Sequence, residues 1–145
     1  MSSIRRREVV PYTPQEMFDL VNDVESYPRF LPGCRSAQVL SRSGDEVTAR
    51  VELAKGAVRK SFTTRNRLQR HKMIEMRLVD GPFRQLEGFW RFDPLEDGRT
   101  QVGLDLDFEF SSRLVSTVVG PVFHQIANSL VDAFSKRARE VYGVR

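Results

Sequence analysis

Gln101-Val102-Gly103-Leu104-Asp105-Leu106-Asp107-Phe108-Glu109-Phe110 alternates apolar and polar residues. After Ser111-Ser112 the apolar positions become Val115, Val119, Val122, Ile126, Leu130, Phe134 and Ala138. A period of two has given way to one of about 3.6, which is the change from a strand to a helix. Val102, Leu104, Leu106, Phe108 and Phe110 form one face of the strand, and Gln101, Asp105, Asp107 and Glu109 the other. A sheet wetted on one side reads this way. The helix that follows is long and carries a single apolar stripe. Gly120-Pro121 falls inside it, and the missing amide donor predicts a kink near residue 120.

Upstream, alternation extends back to about Ala37. Val47, Ala49, Val51 and Leu53 oppose Thr48, Arg50 and Glu52, while Ile74, Met76 and Leu78 alternate with Glu75 and Arg77. Ser43-Gly44-Asp45, Lys55-Gly56, Asp80-Gly81-Pro82 and Asp97-Gly98 supply turns between these runs. Thr13-Pro14-Gln15-Glu16 is a capping box with proline at the first helical position, and Met17, Leu20, Val21 and Val24 continue that helix. Asn22-Asp23 offers a second cap for a short helix towards Tyr27, ended by Pro28 and Pro32. Ile4 to Val10 precedes all of this as a strand. The expected fold is α+β: one strand, two short helices, about six further antiparallel strands, and a long C-terminal helix. An antiparallel sheet with one apolar face buries it by curling round that helix, and the space left between them is a natural ligand site.

The 145 residues, 40% hydrophobic and 29% charged, suit one globular domain spanning 1–145 and neither a disordered nor a membrane-spanning chain. The longest apolar run, Leu114 to Phe123, is interrupted by Ser116, Thr117, Gly120 and Pro121, and the N-terminus lacks the apolar core of a signal peptide. A cytoplasmic location is expected. Cys34 is the only cysteine and His71 and His124 the only histidines, a set too small to expect a metal site. The Gly-x-Ser-x-Gly elbow and phosphate-binding glycine loops are absent, so no catalytic residue is assigned and no enzyme is expected. The net charge of +4 is modest, but basic residues concentrate between Arg59 and Arg84, a strip suited to phosphate groups.

Several stretches then resemble one family across nearly the whole chain. They are Val10-Pro11-Tyr12, Met17-Phe18-Asp19-Leu20-Val21, Asp23-Val24-Glu25-Ser26-Tyr27-Pro28-Arg29-Phe30-Leu31-Pro32-Gly33-Cys34 and Phe62-Thr63-Thr64-Arg65-Asn66. Asp80-Gly81-Pro82-Phe83, Trp90-Arg91-Phe92, Asp107-Phe108-Glu109-Phe110 and Arg137-Ala138-Arg139-Glu140-Val141-Tyr142 continue the likeness. The chain resembles the START-like coenzyme Q-binding proteins and ribosome association toxins, within the polyketide cyclase/dehydrase-like superfamily. Ser-Tyr-Pro-x-Phe-Leu-Pro is the most specific part; Gly120-Pro121 departs from the unbroken helix the family leads one to expect. The resemblance implies a helix-grip fold, no cofactor, and two activities that do not exclude each other. One is binding a polyprenyl quinone such as ubiquinone in support of respiration or quinone biosynthesis. The other is binding the large ribosomal subunit and blocking subunit association. Composition and spacing do not choose between them, and cyclase or aromatase chemistry is a third, weaker reading.

Parity and helical spacing nominate a cavity lining of Phe18, Tyr27, Phe30, Leu31, Phe62, Met76, Trp90, Phe108, Phe123, His124, Ala127, Leu130 and Phe134. A greasy ring and tail need such a lining, and His124 has the chemistry to hydrogen-bond a carbonyl, although a surface or core histidine with no ligand is the commoner case. An ordinary core explains any one of these residues equally well. Tyr27 to Pro32 has the composition of a lid, or of a segment that touches the inner membrane peripherally, although a packed helical corner is the plainer explanation. Arg59, Arg65 and Arg67 share strand parity and Arg77 continues the row; solvated sheet surface is the bland reading and contact with ribosomal RNA the functional one, with no DNA partner expected. Asp105, Asp107 and Glu109 face away from the cavity and are not assigned to acid–base work.

Overall fold

The computed structural model describes residues 1–145. β1 (Ser2–Val10) is followed by α1 (Pro14–Asn22) and a 3-10 turn (Val24–Arg29). Six strands then run in succession: β2 (Cys34–Ser43), β3 (Glu46–Lys55), β4 (Val58–Gln69), β5 (Met73–Asp80), β6 (Phe83–Pro94) and β7 (Thr100–Phe110). The chain closes with α2 (Arg113–Tyr142). All strands join one antiparallel sheet in the order β1-β7-β6-β5-β4-β3-β2. Each hairpin partner is the next strand in sequence, except that β1 returns to the far edge and pairs with β7 from Ser2↔Phe108 to Val10↔Thr100. Register shifts at Cys34/Ser36, Val39/Ser41, Thr63/Thr64 and Phe83/Gln85 mark bulges, which bend strands and help a broad sheet to curl.

The local signals work as their chemistry requires. Thr13 accepts from the Glu16 amide at 3.1 Å while Glu16 Oε1 accepts from the Thr13 amide at 2.9 Å, so two donors at the start of α1 are satisfied reciprocally. The same Glu16 carboxylate takes two hydrogen bonds from Arg145, at 2.5 and 2.7 Å, which hold its pKa below the ordinary value. Tyr142 donates to Glu16 O and Tyr12 to Gly143 O, so the C-terminal end of α2 is tied to α1.

One expectation needs correction here. The second helix is a 3-10 turn, and Pro28 lies inside it rather than ending it. Tight i to i+3 turns tolerate the proline because few amide donors are engaged. α2 spans Arg113–Tyr142 as one helix that contains Gly120-Pro121; the proline removes one amide donor there, and Val119 and Phe123 pack on the sheet over that stretch.

The buried side chains divide into two groups. One gathers α1, the 3-10 turn and the C-terminal half of α2 around Trp90, Phe92 and Phe134. The other gathers Phe83, Phe108, Phe110 and Phe123 with Leu86 and Leu106 under the N-terminal half of α2. On the outer face of the sheet, Arg5 and Arg7 of β1 pair with Asp107 and Asp105 of β7 at 2.9 Å. Exposed pairs of this kind contribute about 0–1 kcal/mol each, so the fold rests on the apolar inner face.

Candidate functional site, a neutral cavity between the helix and the sheet

Between the two apolar groups lies a cavity of about 110 Å³. Parity builds its floor: Ala49, Val51 and Leu53 of β3, Phe62, Thr64 and Asn66 of β4, Met76 of β5, Leu86 and Trp90 of β6, and Leu104 and Leu106 of β7. Phe123, Ile126, Ala127, Leu130 and Phe134, at helical spacing on α2, form the roof. Tyr27, Leu31 and Cys34 close one side. Gly33 makes that corner possible: its φ is +80°, and a Cβ placed there would lie 2.6 Å from Ile126 Cδ1. Two wider depressions, of about 420 and 410 Å³, are polar and lie on the outer surface.

The lining carries no charge. Tyr27 and Cys34 are its only ionisable side chains. Burial raises the pKa of both, with Tyr27 raised further by Cys34 and Asp23, and the Cys34 thiol is pushed up to about 11. The Tyr27 hydroxyl donates to Val21 O and the Cys34 thiol to Ser36 O, so neither polar atom is spare. Thr64 and Asn66 are the two polar members of the lining, and the Thr64 hydroxyl donates to Asn66 Oδ1 at 2.9 Å.

Of the residues nominated from sequence, Tyr27, Leu31, Phe62, Met76, Trp90, Phe123, Ala127, Leu130 and Phe134 line this cavity. Phe18, Phe30, Phe108 and His124 do not. Phe18 is fully buried behind the cavity, edge-on to Phe92 and His71. Phe30 packs outside it on Phe134 and under the Arg137 guanidinium, which makes the Tyr27–Pro32 segment a packed corner. Phe108 sits within the aromatic group of Phe83, Phe110 and Phe123, and His124 lies against Phe108 with ring centres 5.0 Å apart. Shared parity brings side chains to one face of a sheet, but packing decides which of them border empty space.

Thr64 and Asn66 were legible in principle. Placing Arg65 and Arg67 outside turns Thr64 and Asn66 inward, and Thr-x-Asn on an apolar face is the signal in the sequence that points to them. The proposed basic row is also broken up by carboxylates. Arg65 pairs with Glu46 at 3.3 Å, and Arg77 with Glu75 at 2.6 Å and Glu87 at 3.8 Å. Only Arg59 and Arg67 of the four remain exposed outside any ion pair.

The model of the polyketide cyclase/dehydrase and lipid transport family matches residues 10–135. The chain belongs to that family. Within it, the ribosome association toxin RatA of Escherichia coli is 45% identical over 145 residues, covering the whole of this chain and 92% of the relative. A mitochondrial coenzyme Q-binding protein of Xenopus laevis is 31% identical over 94% of this chain and 57% of its own length. Among solved structures, an 18 kDa protein from Caulobacter crescentus is 31% identical, with a TM-score of 0.77 over 99% of this chain and 100% of its own. The START-like helix-grip architecture, an antiparallel sheet curved round the C-terminal helix, is thus shared with a solved relative.

Proposed function

We propose that this protein binds an uncharged apolar ligand bearing a ring in the cavity between α2 and the sheet. The observation that carries the reading is the lining itself, apolar throughout except for Thr64 and Asn66 and without an ionised group. A charged ligand entering there would lose its hydration with no counter-charge to replace it, which costs several kcal/mol. Acid–base chemistry has no group poised near neutrality to perform it, because both ionisable side chains are held protonated. Dry apolar cavities of about 150 Å³ hold a molecule of benzene size. A volume of about 110 Å³ is smaller than that, so a substituted ring, like an isoprenoid tail, is accommodated only when lining side chains or α2 move.

A polyprenyl quinone such as ubiquinone fits this description, and the likeness to a coenzyme Q-binding protein favours it over other neutral lipids. Exchange of such a ligand would bring a cytoplasmic protein into peripheral contact with the inner membrane. Mass spectrometry of an organic extract of protein purified without detergent from its own host tests the reading. Stoichiometric quinone is the expected result. An empty extract, together with Trp90 fluorescence that ignores a short-chain quinone, overturns it.

A second reading, association with the large ribosomal subunit, is favoured by the 45% identity to RatA over the whole chain. Arg59 and Arg67 are the expected phosphate contacts, because they alone of the four nominated arginines are free of carboxylates. Co-sedimentation with separated subunits tests it: binding that survives Arg59→Glu with Arg67→Glu removes this face from the account.

A further inference from the structure

Asn66 is only 9% exposed and Thr64 only 7%, yet the hydrogen bond between them uses a small part of what they offer. An amide brings two N–H donors and a hydroxyl brings one. With the Thr64 hydroxyl donating to Asn66 Oδ1, both amide N–H groups are left; with the amide turned over and donating to Thr64, one N–H and the hydroxyl are left. Two donors are spare in either arrangement. Across β3 and β5, Asn66 faces Val47 and Met76, and Thr64 faces Ala49 and Leu78, none of which carries a side-chain oxygen or nitrogen to accept them. No side-chain nitrogen or oxygen sealed within the protein lacks a partner, so the spare donors border the cavity.

An unmet donor in an apolar cavity is unfavourable until an acceptor arrives, and an arriving acceptor is held in one place by it. We propose that Asn66, oriented by Thr64, is the anchor that recognises a carbonyl-type oxygen on the bound ligand and so sets which way its ring lies. This rests on the ligand-binding reading above and adds a requirement to it: the ligand carries a neutral hydrogen-bond acceptor on its ring rather than being a plain hydrocarbon. Thr64 is a positioning residue, acting on the ligand through the amide.

The test uses two probes with the same ten-carbon tail, decylubiquinone and decylbenzene, titrated against the full chain by Trp90 fluorescence. Asn66→Leu, which fills the same space without donors, is expected to weaken decylubiquinone binding by about 10- to 100-fold and to leave decylbenzene binding equal or tighter. Thr64→Val is expected to weaken the quinone by a smaller factor. Infrared difference spectra of carbonyl-labelled quinone give a direct readout: the downshifted carbonyl band of the bound state is expected to return towards its value in hydrocarbon in Asn66→Leu. If that variant retains its fold by circular dichroism and both the affinity ratio and the carbonyl band stay as in the parent, the anchor is wrong while ligand binding stands. If neither probe binds the parent protein, the ligand-binding reading itself has failed. Should Asn66→Leu not fold, Asn66→Ser and Thr64→Val carry the same comparison, and an unchanged carbonyl band in both overturns the proposal.

Discussion

Gly33 turns Leu31-Pro32-Gly33 back towards β2 with a φ of +80°, and its missing side chain is what lets Ile126 come down onto the corner. A left-handed residue with a Cβ costs about 1–2 kcal/mol, before any clash is counted. Gly33→Ala is expected to lower Tm by about 2–8 °C, and Ile126→Val in the same chain to recover part of the loss, the clash but not the strain. Differential scanning calorimetry of the single and double variants checks this; a double variant no better than the single one means the clash is absent. Cys34, the residue after Gly33, makes a separate prediction. Burial raises its thiol from 9.0 to about 11, so the folded state holds a proton that the unfolded chain gives up earlier. The stability this contributes is complete below pH 9 and is lost as pH rises to about 11. Alkylation by iodoacetamide at pH 8 is expected to be far slower than for an exposed thiol, and fast alkylation would place the thiol outside the lining.

At the scale of the element, α2 is composed for two tasks in tension. Its length and apolar content would suffice for a membrane span by composition alone, but the stripe Val119, Phe123, Ile126, Val131 and Phe134 is buried against the sheet. Leu114 and Val118 stay exposed near its start, just before Gly120-Pro121. Pro121 is itself exposed, and removing it loses no packing while restoring one amide donor to the helix. Pro121→Ala is expected to stabilise the protein by about 1–3 kcal/mol, seen as a Tm about 3–10 °C higher. An unchanged or lower Tm in thermal denaturation would mean that the proline's surroundings compensate for the lost hydrogen bond. Nothing in the alternation of β4 distinguishes a strand that floors a cavity from one that floors a solid core. Phe62, Thr64 and Asn66 are assigned to an inner face by parity, but that they border empty space depends on α2 and its distance from the sheet.

For the whole molecule, the two proposed activities separate by their response to salt. The cavity holds no ionised group, so ligand binding is expected to be insensitive to ionic strength. At a ligand concentration about 100 times Kd, binding stabilises the fold by about 2.7 kcal/mol, and the resulting rise in Tm should be the same at low and high salt. Association with ribosomal RNA through exposed arginines should instead weaken steeply as salt rises. Measuring both on one preparation checks each claim: a ligand shift that fades with salt contradicts the neutral cavity, and salt-resistant sedimentation contradicts the arginine contact.

The sequence alone determined the order of elements, the capped start of α1, the turns and the face on which each strand's residues lie, because these follow from local hydrogen-bonding chemistry and from periods of two and 3.6 that any window of residues displays. Tertiary structure decided what no window contains. It split the apolar residues into two groups with a gap between them, and it left Phe18, Phe30, Phe108 and His124 outside that gap. It also neutralised Arg65 and Arg77 with carboxylates from their own strand or from neighbouring strands. A cavity is the difference between the volume enclosed by the backbone and the volume filled by side chains, and an ion pair depends on register across a sheet. Both are set by residues distant in sequence.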